Sequence, residues 1–348
     1  MSPSSSATLE TYGESADFVR FEIQALGTEN VLLLEGPDSP EVRSAAQDAF
    51  ETLERIEQSL SKFLPQSDVS LLNALGASRQ VRVGQEVVRL LKLSREAWEA
   101  TGGAFDVTVG ELMHAWGLVD MEGRVPSERE IVQLRSRCGM HQVGFDEGES
   151  TAWLARPGLS VDLGAIGKGH AVDVLTSRLQ ERRRGSGLFI SGRSSIACWG
   201  APPGETGWRF EVVHPEGEDE PLGVIMAEPG SISTSGSYAR RFVRGWREYG
   251  HVIDPRTGKP AGGMKSVTVW TPSAVLGDVL STALLVLGSG ALEPHGPVEK
   301  LTRAWARACE EARASILYAE VDPSRWGGLR IGTFHLGRPG FKLLSSIS

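Results

Sequence analysis

The segment VDLGAIGKGHAVD, residues 161–173, decides how the rest of the chain is interpreted. It places three glycines, one lysine and two aspartates between an apolar run and an amphipathic one. Leu159 and Val161 are interpreted as the end of a strand, and residues 170–179 as a helix with apolar side chains on one side. A glycine-rich turn before a helix brings backbone N–H groups together, so it can bind an anion such as phosphate. Lys168 would add a positive charge beside that anion.

Two nucleotide-binding motifs come close to this segment, and neither fits it. In a Walker P-loop the position of Asp162 would be glycine, and that of Gly169 would be serine or threonine. The spacing of Gly164, Gly167 and Gly169 also differs from that of the dinucleotide-binding fingerprint. The segment alone therefore leaves two interpretations open: an anion-binding turn, or a turn that needs glycine only for its backbone geometry.

The composition is that of an ordinary globular protein and excludes several classes. Of the 348 residues, 40% are hydrophobic and 23% are charged, and no apolar run is long enough to span a bilayer. The formal net charge of -8, without a basic face to offset it, argues against nucleic acid as a partner. Three widely spaced cysteines predict neither a disulfide framework nor a zinc site, and they fit a reducing compartment. The N-terminal residues show no signal peptide and no lipoprotein cysteine, so we expect a cytoplasmic protein.

The hydrophobic periodicity predicts one α+β domain between two terminal segments. Neither a fixed-period repeat nor a clear linker precedes Gly288. We therefore expect a disordered N-terminus at residues 1–16, one main domain at residues 17–288, and a C-terminal extension packed on it at residues 289–348. The predicted helices are residues 39–60, 86–101, 127–138, 273–287 and 298–312. The clearest predicted strands are residues 18–25, 31–35, 80–83, 141–145, 150–155, 208–214 and 267–270.

The helix predicted at residues 273–287 is strongly apolar and carries one charge, Asp278. A buried carboxylate without a partner is costly, so this aspartate needs one. Thr282 lies one helical turn later on the same face. The two oxygens, with a nearby carbonyl, would suit a hard cation such as Mg²⁺. The alternative is an aspartate near a helix start, where the helix dipole stabilises it.

Three further positions carry side chains that could act on a phosphate-containing ligand. His251 directly precedes an Asp-Pro turn, where a loop residue could take part in catalysis, although a packed or surface histidine fits the same pattern. Thr234 lies in a run of hydroxyl residues that could donate to phosphate or simply form a turn. Phe105 and Asp106 follow two glycines and a small residue. They could offer an aromatic face and an acceptor to a heterocycle, or they could form a packed helix entry.

Taken in order, six motifs resemble those of the ApbE family of FAD:protein FMN transferases. The resemblance extends from about Leu26 to Gly288. The motifs are residues 26–28, 61–73, 102–117, 162–173 and 233–236, and residues 251–260 together with the helix that carries Asp278. Any one of these motifs is common, whereas six in the same order are specific to a family.

The resemblance implies an α+β fold related to the T-fold, with mixed sheets packed with helices in a single main domain. It also implies a Mg²⁺-dependent enzyme that takes FAD as its substrate and attaches FMN to a serine or threonine of a target flavoprotein. His251, Asp278 and Lys168 would be the catalytic residues, and His251 would take the proton. The metal would be held by the Ala165 carbonyl, Asp278 and Thr282. The positions that would contact FAD are Leu26, Phe63, Ala104, Phe105, Asp106, Asp162, Lys168, Thr234 and His251.

Some features depart from the family pattern. The chain has Gly192-Arg193-Ser194 where the family usually has Gly-Gly-Asp or Gly-Gly-Ser, which would place a bulky cation near the pyrophosphate or the target. Val107 replaces a common proline. The sequence does not contain the acceptor motif, an aspartate followed a few residues later by Ser/Thr-Gly-Ala-Thr. We therefore do not expect the protein to attach FMN to itself. Two alternatives remain: an FAD pyrophosphatase that releases FMN and AMP, and a flavin-binding protein without catalysis.

Overall fold

The computed structural model describes residues 17–346 except for 121, 183–184, 193, 218–220, 239–240, 263, 306–311, 323 and 325–327. The N-terminus predicted to be disordered and Arg193 therefore lie outside the described residues. The helices are α1 (Pro40–Leu60), α2 (Asp68–Leu75), α3 (Gln85–Ala100), α4 (Gly110–Ala115), α5 (Glu128–Arg135), α6 (Gly167–Arg182), α7 (Ala274–Leu287) and α8 (Pro297–Trp305). The strands are β1 (Phe18–Ala25), β2 (Thr28–Glu35), β3 (Val81–Arg82), β4 (Val143–Asp146), β5 (Thr151–Leu154), β6 (Gly187–Ser191), β7 (Ser195–Trp199), β8 (Trp208–Val212), β9 (Gly223–Ala227), β10 (Gly230–Gly236), β11 (Arg241–Arg244), β12 (Arg247–Gly250), β13 (Ile253–Asp254), β14 (Lys259–Pro260), β15 (Met264–Thr271), β16 (Ala314–Val321), β17 (Leu329–Leu336) and β18 (Phe341–Ser346).

The centre of the fold is a sheet of eight strands in the order β1, β2, β6, β7, β10, β15, β16, β17. Its neighbouring strands all pair in antiparallel register. Both faces of the sheet are covered, which explains why β2 is a continuous apolar run rather than an alternating one. Leu32 and Leu34 pack in one core, and Val31 and Leu33 pack in another. The sheet is therefore the middle of three layers.

Helices α1, α6 and α7 form the layer on one face of the main sheet. Ser39 caps the start of α1 by accepting from the Val42 N–H, and Pro40 occupies the first helical position. The apolar residues of α1 recur every three or four positions, so this helix buries one stripe and leaves the other side polar. By contrast, α7 is buried on nearly all sides, as its apolar sequence predicts. Among the described residues, no helix combines the length and the apolar character needed to cross a membrane.

A second sheet, with the strand order β18, β9, β8, packs on the other face of the main sheet. The C-terminal segment contributes to both sheets, because β16 and β17 extend the main sheet beyond β15 and β18 pairs with β9. The predicted α+β class is confirmed. The fold is mixed in that it combines sheets with helices. Within these two sheets the strand pairs are antiparallel. The domain boundary predicted at residue 288 stays a prediction.

Two predictions around the central segment are wrong. Leu159 and Val161 do not end a strand, because the side chain of Asn73 bonds the backbone groups of Val161 that a neighbouring strand would use. Asn73 Oδ1 accepts from the Val161 N–H at 2.7 Å, and its Nδ2 donates to the Val161 carbonyl at 2.9 Å. The following helix begins at Gly167 rather than at residue 170, since a 3-10 turn at Leu163–Ala165 leads directly into it. The helix predicted at residues 298–312 is α8, and residues 306–311 lie outside the described residues.

Candidate functional site

The starts of α6 and α7 cross where a glycine permits close approach. A Cβ on Gly169 would lie 2.5 Å from the carbonyl oxygen of Ala274, so no larger residue fits there without a shift of the backbone. Asp173, one turn further along α6, accepts a hydrogen bond from the Ser273 hydroxyl at 2.7 Å. It also accepts from the N–H groups of Ala274 and Val275 at 2.6 and 3.1 Å. This carboxylate therefore caps the first turn of α7 and holds the two helices together.

Asp278 is buried on α7 and connects four elements of the fold. Its Oδ2 accepts from the Gly169 N–H at 2.7 Å. Its Oδ1 accepts from the hydroxyls of Ser195 on β7 and Ser233 on β10, at 2.7 and 2.8 Å. Burial raises the pKa of Asp278, and the nearby charge of Lys168 opposes that rise. The carboxylate is therefore desolvated, and additional positive charge would stabilise its ionised form.

Lys168 lies on the first turn of α6 and reaches the turn between β6 and β7. Its Nζ donates to the Ser194 hydroxyl. The Ser194 carbonyl in turn accepts from the Thr234 N–H at 2.7 Å, and Thr234 Oγ1 lies 3.0 Å from Thr268 Oγ1. The structure thus brings three predicted site residues together. Hydrogen bonds through Ser194 connect Lys168 to Thr234, and charge connects Lys168 to Asp278.

The three predicted metal ligands lie on neighbouring elements. Thr282 follows Asp278 by one turn of α7, and its Oγ1 lies 3.4 Å from the Ser235 hydroxyl. Ala165 belongs to the 3-10 turn before α6, which packs against α7. A carboxylate, a hydroxyl and a backbone carbonyl are hard oxygen donors of the kind that Mg²⁺ prefers.

The hydrogen bonds of Asp278 leave room for a cation. A carboxylate offers about four lone-pair sites, and Asp278 accepts three hydrogen bonds. The described residues contain no cluster of three or more His, Cys, Asp or Glu side chains suited to a metal. The predicted set of ligands contains only one carboxylate, so it would not form such a cluster. The residues present therefore fit a divalent cation that completes its coordination with water and substrate phosphates.

Lys62, which was not predicted as a site residue, brings Phe63 and Asp162 together. Its Nζ lies 2.7 Å from Asp162 Oδ2 and 5.1 Å from the centroid of the Phe63 ring. Phe63 is 73% exposed, which leaves its ring available to a ligand. Lys62 and Asp162 are 100 residues apart in sequence, so no local pattern could reveal their ion pair.

Leu26 and Gly27 form the two-residue turn between β1 and β2. Their φ angles are 55° and 68°, and a type I′ hairpin turn requires positive values at both positions. For leucine this conformation costs about 1–3 kcal/mol, so the surrounding structure must stabilise it. The Asn30 amide does so by donating to two backbone carbonyls of the hairpin, at 2.9 and 3.1 Å. The turn lies beside Gly192, whose N–H donates to a β2 carbonyl at 2.8 Å.

The FAD positions predicted at residues 104–106 are buried. Ala104 and Phe105 are 2% and 1% exposed, so the Phe105 ring presents no open face to a ligand in this structure. Asp106 accepts from the N–H and the hydroxyl of Thr108, at 2.8 and 2.6 Å. Burial nevertheless raises the pKa of Asp106 to about 6. The packing of this loop matches the alternative that the sequence left open, a packed helix entry.

His251 lies half-buried between β12 and β13. The turn that follows it is fixed by Asp254, which accepts from the N–H, Nε and Nη2 of Arg256 at 2.9, 2.9 and 3.0 Å. At the far end of this turn, Trp116 Nε1 donates to the Gly258 carbonyl at 2.8 Å. His251 is therefore carried by a fixed turn, on a different segment from the cluster at the crossing of α6 and α7.

Known proteins share both the sequence pattern and the fold. The pattern of the ApbE family matches residues 20–294. An FAD:protein FMN transferase of Treponema pallidum is 32% identical over 263 residues, which cover 71% of this chain and 72% of the relative. One from Vibrio cholerae is 29% identical over 267 residues, which cover 75% and 78%. The crystal structure of the ApbE protein of Thermotoga maritima gives a TM-score of 0.75 at 29% identity, over 87% of this chain and 94% of that one. The flavin transferase ApbE from Vibrio cholerae gives 0.73 at 26% identity, over 92% and 97%.

Proposed function

The chain belongs to the ApbE family, as its motifs predicted, and on that basis we propose that it is an FAD:protein FMN transferase. It transfers FMN from FAD to a serine or threonine hydroxyl of a target flavoprotein and releases AMP. The observation that carries this proposal is the cluster of Lys168, Asp278 and serine hydroxyls at the crossing of α6 and α7. Phosphoryl transfer depends mainly on positioning and on neutralisation of charge, and this cluster can provide both.

The phosphates of FAD would bind at the start of α6. Lys168 and the N-terminus of α6 offer positive charge and N–H groups where the pyrophosphate would lie. Asp278, Thr282 and the Ala165 carbonyl would hold Mg²⁺, which neutralises phosphate charge when it is bound. The other positions proposed to contact FAD are Leu26, Phe63, Asp162 and Thr234. For Ala104, Phe105 and Asp106, which are buried here, contact with FAD stays a prediction from the sequence.

His251 and Lys168 each have a role in the transfer step. The acceptor hydroxyl oxygen attacks the phosphorus of the FMN half, and the bond from that phosphorus to the bridging oxygen breaks. AMP leaves with the bridging oxygen. His251 takes the proton of the acceptor hydroxyl, since a histidine can accept a proton near neutral pH. Lys168 stabilises the negative charge that develops on the phosphate oxygens.

The direct test is mass spectrometry of the acceptor. The purified protein is incubated with FAD and Mg²⁺, with a protein that bears the acceptor motif or with the same protein lacking the acceptor hydroxyl. We expect the first acceptor to gain the mass of FMN with an equal amount of AMP released, and we expect chelation of Mg²⁺ to stop the reaction. Release of FMN and AMP without a labelled acceptor would instead identify an FAD pyrophosphatase. Intact FAD in every sample would contradict the proposal and favour a flavin-binding protein.

The reaction requires a protein partner. A flavoprotein must present its serine or threonine hydroxyl to the phosphate, close to both His251 and Lys168. The surface next to these residues is therefore where the partner would dock. That the two proteins meet in the cytoplasm stays a prediction from the sequence.

A further inference from the structure

A hairpin formed by β11 and β12 connects two segments of the candidate site. It follows β10, which carries Ser233 and Thr234, and it ends directly before His251. The distance from Trp246 at its tip to His251 is roughly 16 Å along the strand, since five residues each add about 3.3 Å. A protein that presents a hydroxyl to His251 would therefore come within reach of the tip.

The base of the hairpin is anchored in a small core. Phe242 and Tyr249 pair across the two strands with their rings stacked 5.1 Å apart. The Tyr249 ring lies 5.3 Å from the ring of Trp116, and Ile253 belongs to the same core. Because Ile253 follows His251 by two residues, the hairpin and the segment of His251 pack as one unit.

Neither the geometry of the turn nor packing in this core requires large apolar side chains at the tip. A type II′ turn requires a positive φ at its first central position only. Gly245 occupies that position with a φ of 64°, and Trp246 follows it without a positive φ. A small polar residue would satisfy the second position of such a turn equally well. Trp246 is instead completely exposed, at 106%, and Val243 is 66% exposed. Tryptophan is enriched among the residues that dominate protein–protein binding.

The charges on the hairpin are mainly positive. Arg241, Arg244 and Arg247 are exposed, whereas the single glutamate, Glu248, already pairs with Arg241 at 2.6 Å. Within the part of the chain that the structure describes, no carboxylate lies at ion-pair distance from Arg244 or Arg247. In a chain with a net charge of -8, this basic tip is a local exception. It is complementary to an acidic surface.

We propose that this hairpin docks the acceptor flavoprotein by binding an acidic segment that carries an apolar side chain. Trp246 is the apolar anchor, and Arg244 and Arg247 form the charged rim. The inference rests on the proposed function, since only that function requires a protein substrate beside His251. The tryptophan contributes most of the affinity, while the arginines contribute to the rate of association and the choice of partner.

The test measures binding of a carrier protein that displays the acceptor motif between aspartates, glutamates and one leucine. Its acceptor hydroxyl is removed, so that binding is measured without turnover. Trp246→Ser is expected to weaken binding about thirtyfold, the effect typical of removing a dominant contact residue. Arg244→Glu with Arg247→Glu is expected to weaken it about tenfold, and more at low ionic strength. FAD affinity should not change in either variant.

Matched controls separate docking from damage to the fold. Leu344→Ser and Arg82→Glu alter exposed positions on β18 and β3, and they should bind the carrier like the wild type. A carrier with lysines in place of its acidic residues should bind the double glutamate variant more tightly than it binds the wild type. A misfolded variant could not show that gain.

Four outcomes decide the inference. It is wrong if the Trp246 and arginine variants bind the acidic carrier like the wild type, or if they lose FAD and carrier binding in parallel. Self-association of the wild type that Trp246→Ser abolishes, without carrier binding, would assign the hairpin to a second copy of this chain and overturn it. If the wild type discriminates between the carriers but transfers no FMN, docking is supported and the proposed function fails.

Discussion

Replacing Asp278 with asparagine would separate the structural role of this carboxylate from its chemical role. The asparagine oxygen can still accept from the hydroxyls of Ser195 and Ser233. The amide nitrogen would face the Gly169 N–H, so two donors would meet where a 2.7 Å hydrogen bond now lies. One unsatisfied buried N–H lowers the free energy of unfolding by about 1–3 kcal/mol. Because burial raises the pKa of Asp278, removal of its charge offsets part of that loss.

The effect of Asp278→Asn on the reaction should be much larger. Loss of a group that only orients a metal ligand costs about 10–100-fold, so loss of the single carboxylate of the predicted set should exceed about a hundredfold. The assay is FMN transfer at saturating FAD with Mg²⁺ titrated, beside urea unfolding at the same pH. Asp173→Asn is the matched control, because Asp173 also accepts three hydrogen bonds at the same helix crossing. It should lose comparable stability but keep transfer within about tenfold of the wild type.

Two results would refute this reasoning. Asp278→Asn could transfer FMN with the Mg²⁺ dependence of the wild type, in which case Asp278 is not a metal ligand. Alternatively, Asp173→Asn could lose as much transfer as Asp278→Asn at equal stability, in which case both losses come from the helix crossing and not from the metal.

Three further changes test other parts of the site. Lys168→Met should lower kcat for FMN transfer by about a hundredfold or more, since it removes charge stabilisation of the transition state, and an unchanged kcat would contradict that role. Phe63→Ala should raise the Kd for FAD about tenfold in a fluorescence titration, the loss expected for one aromatic contact, without altering urea unfolding, because the side chain is 73% exposed. Burial raises the pKa of Asp106 from 3.8 to about 6, so its contribution to stability is present below pH 3.8 and is lost as the pH rises through 6. Asp106→Asn should remove about 3 kcal/mol of that pH dependence of unfolding, and identical dependence in both proteins would count against it.

Elements with a local pattern could be predicted from the sequence. The helix expected at residues 273–287 is α7, because a run of apolar residues between a Pro-Ser start and a glycine end determines it locally. The strand expected at Val161 fails for the opposite reason. Its backbone groups are bonded by Asn73, which is 88 residues away in the sequence. A pattern of apolar residues cannot predict that a distant side chain will take the place of a neighbouring strand.

The same distinction applies to the site. Helical spacing placed Asp278 and Thr282 on one face of α7. Ser195 and Lys62 went unnoticed because their partners, Asp278 and Asp162, lie 83 and 100 residues away. The hairpin with Trp246 was not predicted either, and none of the six motifs includes it.

Asp173 and Asp278, the two aspartates at the helix crossing, differ in what their partners can do. Two of the three groups that donate to Asp173 are backbone N–H groups of α7, which cannot turn away. Two of the three that donate to Asp278 are serine hydroxyls, which can rotate and can accept as well as donate. A cation that arrives at Asp278 needs only the rotation of two hydroxyls, whereas one at Asp173 would uncap the first turn of α7. The fold therefore uses Asp173 to fix the crossing and leaves Asp278, beside Lys168, as the carboxylate that can exchange its partners.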